Sequence, residues 1–338
     1  MTAQSAPPPG NTPQPRAGRF VLEVEGLKKY FPVRRGLLKR TRAEIKAVDD
    51  VSFALEPGET LCLVGESGCG KSTAGRLVLR LIEPTAGSVR LDGHDITRLD
   101  REAMRPWRKR MQIVFQDPYA SLNPRLTAGR IVAEPLENFA DETGPDRRER
   151  VAQLFERVGL RADAAARYPF EFSGGQRQRL GLARALALNP ALIVADEPVS
   201  ALDVSVQAQV LNLMMDLQAD LKLAYLFISH DLGIVEHIGH RVAVMYLGRI
   251  VEIAGKEELF ARPLHPYTRA LLAAAPIPNP RAKKERIVLE GDVPSPMAPP
   301  SGCHFHTRCP FAFPRCRTEA PVLRDAGGGR RFSCHLDP

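Results

Sequence analysis

The segment GESGCGKS at residues 65–72 constrains this chain more than any other, because it follows directly on the apolar run Leu61, Cys62, Leu63, Val64. It fits the pattern G-x-x-x-x-G-K-[ST] at every position. Glycine at Gly65, Gly68 and Gly70 lets backbone N–H groups turn inward and approach a phosphate chain, with Glu66, Ser67 and Cys69 filling the loop between them. Lys71 then reaches the β/γ-phosphates, and the Ser72 hydroxyl holds Mg²⁺. A strand before the loop and a helix after it, from Thr73 through Leu81, set the phosphates on a helix N-terminus that carries roughly half a positive charge. A nucleoside triphosphate is therefore expected here. What it drives is a separate question, since kinases, GTPases, motors and transporters share this loop.

At 338 residues the chain has room for one large domain and an appendage. A hydrophobic fraction of 44% and a charged fraction of 25% are ordinary for a soluble globular protein. No stretch approaches the ~18 uninterrupted apolar residues of a membrane span, and the N-terminus lacks a signal-peptide core. The expectation is a chain in the cytoplasm, or held on the cytoplasmic face of a membrane by partners. The net charge is +8, with Arg34, Arg35, Lys39, Arg40, Arg42 and Lys46 crowded together. Nucleic acid and anionic lipid are two readings of that run, and a solvated loop between two strands is the one preferred.

Residues 1–18 are rich in Pro, Gly and polar residues, with little to bury, and are expected to be disordered. Order should begin at Arg19–Val24. Strand candidates recur at Val51–Leu55, Thr60–Val64, Ser88–Leu91, Gln112–Phe115, Leu192–Ala195, Tyr225–Ile228 and Arg241–Met245. Asp92-Gly93 and Leu247-Gly248 supply hairpin-type turns. Helical patterns at Arg147–Val158, Gln176–Leu188 and Val204–Leu217 separate many strands, which implies an α/β fold with a parallel sheet covered on both faces. The early strands, joined by turns, read as an added antiparallel layer.

A second signal is ALIVADEP at residues 191–198. Its apolar run suits a buried central strand, and Asp196 at the carboxyl end can bind Mg²⁺ beside the phosphate loop. Glu197 follows, placed to polarise the water that attacks the γ-phosphate. A third is FSGGQRQRLGLARAL at residues 172–186. Ser173 caps a helix whose start, Gly174-Gly175-Gln176, exposes bare N–H groups, a second phosphate-binding terminus. One nucleotide does not need two such sites about a hundred residues apart. The economical explanation is that the second serves another subunit's nucleotide.

At these residues the chain resembles the ATP-binding cassette (ABC) ATPases, in which two nucleotide domains sandwich ATP head to tail. FSGGQ is similar to their signature motif, Gln116 to the Q-loop glutamine that touches Mg²⁺, and Ser200-Ala201-Leu202-Asp203 to the D-loop at the dimer interface. His230, in FISHD, resembles the switch histidine that contacts the γ-phosphate. Phe31 fits the aromatic position that stacks on adenine, with Tyr30 the alternative. The resemblance, over about residues 20–260, implies a P-loop NTPase cassette with a RecA-like parallel sheet core, an antiparallel β layer and a helical signature subdomain.

There is one cassette, unlike the paired cassettes of related translation factors, and no long coiled coil as in DNA-repair relatives. HPYTRALLAAAPIPNP (265–280), SGCHFHTRCP (301–310) and VFQDPYASLNPR (114–125) resemble the ATPases of oligopeptide and dipeptide importers, in wording the second of their two ATPase subunits. That resemblance implies a nucleotide domain over residues 19–272 and a C-terminal extension over 273–338 with a Pro-rich linker. It implies two membrane permease subunits, a paralogous ATPase partner, a periplasmic or extracellular solute-binding protein, and no nucleic acid. The chain would then sit on the cytoplasmic face of the cell membrane, using ATP and Mg²⁺. Import of nickel, glutathione or another small solute is the alternative within the subfamily, and a soluble ABC protein the distant one.

The C-terminal extension holds Cys303, Cys309, Cys316 and Cys334 in the spacing C-x₅-C-x₆-C-x₁₇-C, which is not that of paired C-x₂-C zinc sites. Disulfides are not expected in a reducing compartment, and so short a segment points to a metal-organised fold. The resemblance implies a [4Fe–4S] cluster on these four thiolates, and Cys309-Pro310 is similar to the Cys-Pro of ferredoxin ligation. Zinc, with His304, His306 or His335 replacing a thiolate, stays open, as do four unligated thiols. All nucleotide motifs precede the tail, so ATP hydrolysis is expected to survive at least in part when a tail cysteine is replaced.

Overall fold

The computed structural model describes residues 19–35, 40–139, 144–274 and 291–337. The N-terminal stretch expected to be disordered and most of the Pro-rich linker lie outside the described residues. The first elements are strands β1 (Leu22–Arg35), β2 (Arg40–Leu55) and β3 (Thr60–Val64), then helix α1 (Lys71–Val78). Strands β4 (Ala86–Leu91) and β5 (His94–Asp95), helix α2 (Arg101–Arg108) and strand β6 (Met111–Val114) follow. Four helices come next, α3 (Pro118–Ser121), α4 (Ala128–Phe139), α5 (Gly144–Arg157) and α6 (Gly174–Leu186). Strands and helices then alternate through β7 (Leu192–Asp196), α7 (Val204–Leu221), β8 (Ala224–Ser229), α8 (Leu232–Ile238), β9 (Arg241–Tyr246) and β10 (Arg249–Gly255). Helices α9 (Lys256–Ala261), α10 (Pro266–Ala274) and α11 (Pro314–Thr318) precede the hairpin of β11 (Arg324–Gly327) and β12 (Arg330–Phe332).

Five strands run parallel in the order β9-β3-β8-β7-β6, and β10 joins β9 antiparallel. Every residue of β3, β7 and β8 is buried, which is why these strands read as unbroken apolar runs. The pleat divides them between two cores. Leu61 and Leu63 pack with the early strands, whereas Cys62 and Val64 pack with the helices on the other face. The early strands form the expected antiparallel layer, in the order β2-β1-β4-β5. Helices α3, α4, α5 and α6 pack on one another as a separate helical layer. Asp92-Gly93 and Leu247-Gly248 do turn hairpins, with φ of 49° and 76° in the first pair and 41° and 80° in the second.

One expectation needs correction. The basic run is not a loop: Arg34 pairs with Thr41 and Arg35 with Arg40, so the β1–β2 hairpin carries these residues on its strands, while Lys39 lies outside the described residues. Main-chain pairing alone carries the ladder through these rungs. The C-terminal residues pack on what precedes them. Strand β12 pairs with β10 through Glu252↔Phe332 and Ile253↔Arg331, and Phe305 lies in the main core. The fully buried Glu252 carboxylate accepts from Arg330 at 2.8 Å and from the Leu264 and His265 amides at 2.9 Å. A buried charge with this many partners ties β12, β10 and the start of α10 together.

Candidate active site

The phosphate loop leaves the carboxyl end of β3 and enters α1, as its pattern requires. Gly65 (φ 150°) and Gly70 (φ 106°) are fixed by close approach: a Cβ would stand 2.2 Å from the Met245 carbonyl oxygen and 2.0 Å from that of Ala47. Gly68 (φ 81°) faces open space, and with Ser67 it forms the exposed crest of the loop. Cys69 is buried beneath, its thiol pKa pushed up by burial against the opposing pull of Lys71. Thr73 stands in the first turn of α1, half-buried.

Lys71 is buried and folds back across the loop, donating to the Gly65 carbonyl at 2.7 Å and to that of Glu66 at 3.1 Å. These bonds hold the ammonium where phosphate oxygens can replace the carbonyls. The Ser72 hydroxyl donates to Asp196 Oδ1 at 2.7 Å, so the two Mg²⁺ candidates from separate motifs share one point. Burial pushes the Asp196 carboxyl above its ordinary pKa, and the Ser72 bond, Arg76 and Lys71 oppose that shift. A hydroxyl and a carboxylate are the hard oxygen donors that Mg²⁺ takes.

Glu197 sits one residue past β7, with its backbone in the left-handed region at φ 48°. Such a conformation costs a non-glycine residue of order 1 kcal/mol and is typical of functional positions. Gln116 Nε2 donates to Glu197 Oε2 at 3.0 Å, and His230 Nδ1 lies 3.1 Å from Oε1. Three residues expected to be catalytic thus meet on one carboxylate. The parallel order explains it: β6, β7 and β8 are neighbours, and Gln116, Glu197 and His230 each follow a carboxyl end.

Ser173 caps α6. Its hydroxyl accepts from the Gln176 amide at 3.3 Å, and its own amide donates to Gln176 Oε1 at 3.0 Å. This reciprocal box fixes Gly174 and Gly175 at the start of the helix. Among the described residues no hydrogen bond joins Ser173–Gln176 to the phosphate loop of the same chain. Instead Gly174 and Gly175 abut Leu202 and Val206, around Asp203, which stands exposed at the start of α7.

The segment after Gln116 is coupled to α6. Asp117 caps α3, Arg177 lies over the Tyr119 ring at 5.0 Å, and Arg184 donates to the Ser121 carbonyl at 2.7 Å. Tyr30 and Phe31 leave β1 on opposite faces. The Tyr30 hydroxyl donates to Asp49, and burial with that bond pushes its pKa up to about 12. Phe31 stays partly exposed under the Lys29 ammonium, 5.1 Å from its ring centre.

Cys303, Cys309, Cys316 and Cys334 line one small cavity together with Phe305 and Phe311. Burial raises the thiol pKa of Cys303 to about 11 and shifts Cys309 and Cys334 upward. Among the described residues no group of three His, Cys, Asp or Glu side chains has the spacing that holds a metal ion. The sequence did not point to Arg308 or Tyr267, both of which contact the phosphate loop at Glu66. No motif spacing marks them, because their role exists only once the tail folds back.

Replacing Lys71 with Ala should weaken ATP binding about 10- to 100-fold, the scale of losing a charge-assisted bond. Titration calorimetry on the purified chain checks this, and unchanged affinity contradicts the assignment of the loop.

A family model described as "ABC transporter" matches residues 48–200, and one described as "Oligopeptide/dipeptide transporter, C-terminal region" matches residues 251–316. A probable peptide ABC transporter ATP-binding protein of Sinorhizobium fredii is 59% identical, over 94% of this chain and 90% of its own length. The oligopeptide transport ATP-binding protein AppF of Bacillus subtilis is 56% identical, over 94% and 97%. The dipeptide transport ATP-binding protein DppF of Haemophilus influenzae is 54% identical, over 94% and 97%. Among solved structures, the ATP-binding cassette MJ0796 dimer bound to ADP and Pi superposes with a TM-score of 0.62 at 29% identity, covering 70% of this chain and 98% of that one. Clostridium perfringens cbiO1, part of an ABC transporter complex, gives 0.63 at 25% identity, over 72% and 92%.

Proposed function

This chain belongs to the ATP-binding subunits of the oligopeptide and dipeptide ABC importers, is an ABC-type ATPase, and on that premise we propose that it energises the uptake of di- or oligopeptides. The observation that carries the peptide reading is that the likeness runs past the cassette into the C-terminal region, over nearly the whole chain. Nickel, glutathione or other small solutes have no separate feature in their favour.

In the proposed cycle Lys71 exchanges its two loop carbonyls for β/γ-phosphate oxygens. Ser72, Asp196 and Gln116 hold the Mg²⁺ that travels with ATP, and Phe31 stacks on adenine, worth ~1–3 kcal/mol. Tyr30 is left out because its hydroxyl is committed to Asp49. Glu197 takes the proton of the water that attacks the γ-phosphate, and His230 holds the other side of its carboxylate. Ser173–Gln176 and Asp203 serve the nucleotide of a paralogous ATPase subunit across a sandwich dimer.

The dimer would couple to two permease subunits on the cytoplasmic face of the membrane, with a solute-binding protein on the far side. None of the described helices is long and apolar enough to cross a membrane, and in this proposal the permease subunits supply the membrane path. The exposed rings of Tyr119 and Phe170, 52% and 60% accessible, flank Arg177 and offer a permease helix an aromatic seat. Residues 117–125 would form this groove, and their ties to α6 would pass its motion to Ser173. Affinity purification from membranes should bring down two integral membrane subunits and a second ATPase. Recovery of the chain with ribosomes or DNA, and without membrane proteins, contradicts the proposal.

We also propose that the four tail thiols hold a [4Fe–4S] cluster. Four soft thiolates around one cavity suit separate irons of one cluster. Such a group supplies bonds that order the segment. Protein purified without oxygen should be brown and hold about four irons and four acid-labile sulfides per chain. Stoichiometric zinc, or an ordered tail without metal, contradicts the cluster.

A further inference from the structure

Glu66 places a carboxylate inside a loop built to receive three phosphates. Left free, it opposes the Lys71 ammonium and repels the incoming nucleotide. In this fold it is not free. Arg308 grips it with both arms of the guanidinium, Nη1 to Oε2 at 2.8 Å and Nη2 to Oε1 at 3.1 Å. The Arg308 side chain is only 7% exposed against 30% for Glu66, so water screens the pair poorly. The Glu66 amide is occupied as well, donating to the Tyr267 hydroxyl at 2.9 Å.

Both partners stand on one aromatic cluster. Tyr267 packs on Tyr246 and Phe305, with ring centres 4.7 and 5.4 Å apart, and the Arg308 amide donates to the Phe305 carbonyl at 3.0 Å. The C-terminal segment therefore delivers a positive charge to the phosphate loop from a rigid base. Tyr267 already fixes the backbone of the loop, which leaves charge as the distinct contribution of Arg308.

We propose that Arg308 is a positioning residue of the nucleotide site: it neutralises and pins Glu66, so that the phosphate loop presents no free carboxylate to ATP. The tail is then part of the nucleotide site, which the order of motifs along the chain does not suggest. The inference rests on the nucleotide reading of residues 65–72, and its failure would leave the outcomes expected at Lys71 and Glu197 untouched.

The test uses the purified full chain and the assembled transporter, with MgATP as the probe. Arg308→Gln should weaken MgATP binding ~10-fold and raise the KM for ATP by the same factor, with kcat within ~2-fold. The defect should shrink from low salt to 1 M salt, where the Debye length is about 3 Å. Arg308→Lys should fall between, because an ammonium keeps the charge and loses the fork. Glu66→Gln added to Arg308→Gln should restore affinity to within ~3-fold of wild type. Unchanged affinity in Arg308→Gln overturns the proposal. So does a double variant as poor as Arg308→Gln, since that result describes a pair that only holds the tail in place. Arg308→Lys keeps the cation and most of the packing, so its affinity, intermediate or unchanged, decides even if Arg308→Gln does not fold.

Discussion

Glu197→Gln should lower steady-state ATP hydrolysis by about 10²- to 10⁴-fold, the contribution of a positioned general base, and leave ATP binding intact. The amide keeps the size of the carboxylate, and its oxygen can still accept from Gln116 Nε2, now 3.0 Å away. The contact with His230 persists in shape and loses its charge. What disappears is the capacity to take a proton from water. Binding without hydrolysis should accumulate a closed dimer with ATP trapped inside, visible as a larger species by size-exclusion chromatography. With an unmodified paralogue, loss at one site alone would leave the other active, so the assembled transporter should retain at most about half its turnover. Hydrolysis at the wild-type rate contradicts the role given to Glu197.

Ser173→Arg should stop turnover while the ATP affinity of the isolated chain stays within about twofold. The side chain of Ser173 is exposed at the start of α6 and has no bond to the loop of its own chain among the described residues. Losing the cap costs about 1 kcal/mol, small beside the burial of Leu180, Leu182 and Leu186 along the same helix. A bulky cation where a bare helix terminus should meet phosphate blocks closure on the partner's nucleotide. The expected loss is roughly 10²-fold or more, as for removal of a preorganised donor. Gly175→Asp is a less selective probe, because a Cβ there would stand 2.3 Å from Val206 Cγ1 and disturb the fold itself. A parallel fall in the affinity of the isolated chain would contradict a sandwich dimer.

Much of the site was legible because its parts are short and local. The phosphate loop is set by three glycines beside a buried strand, and the meeting of Ser72 with Asp196 follows once both are placed at strand ends. The parallel core was legible because β3, β7 and β8 are buried on both faces and read as apolar runs. Strand β10 escaped the reading, although it is almost wholly buried, because Glu252 interrupts its apolar pattern. That carboxylate makes sense only beside Arg330, 78 residues further on. The reach of the β1–β2 hairpin was hidden for a different reason. Its outer rungs, Arg34↔Thr41 and Arg35↔Arg40, lie where the sequence shows no apolar alternation. The Arg308–Glu66 contact spans 242 residues and depends on the tail folding back, so no local pattern encodes it.

The most direct test is transport itself. The complete complex, purified from membranes with every co-purifying subunit, would be reconstituted into liposomes with the ATPase side facing outward. A labelled peptide and its binding protein would be sealed inside, and ATP added outside. The account predicts that MgATP drives peptide out of the lumen to the face bearing this chain, in step with phosphate release, and that Glu197→Gln lowers both to at most about half the wild-type rate. Phosphate release with no peptide movement, or peptide movement indifferent to ATP, would contradict it.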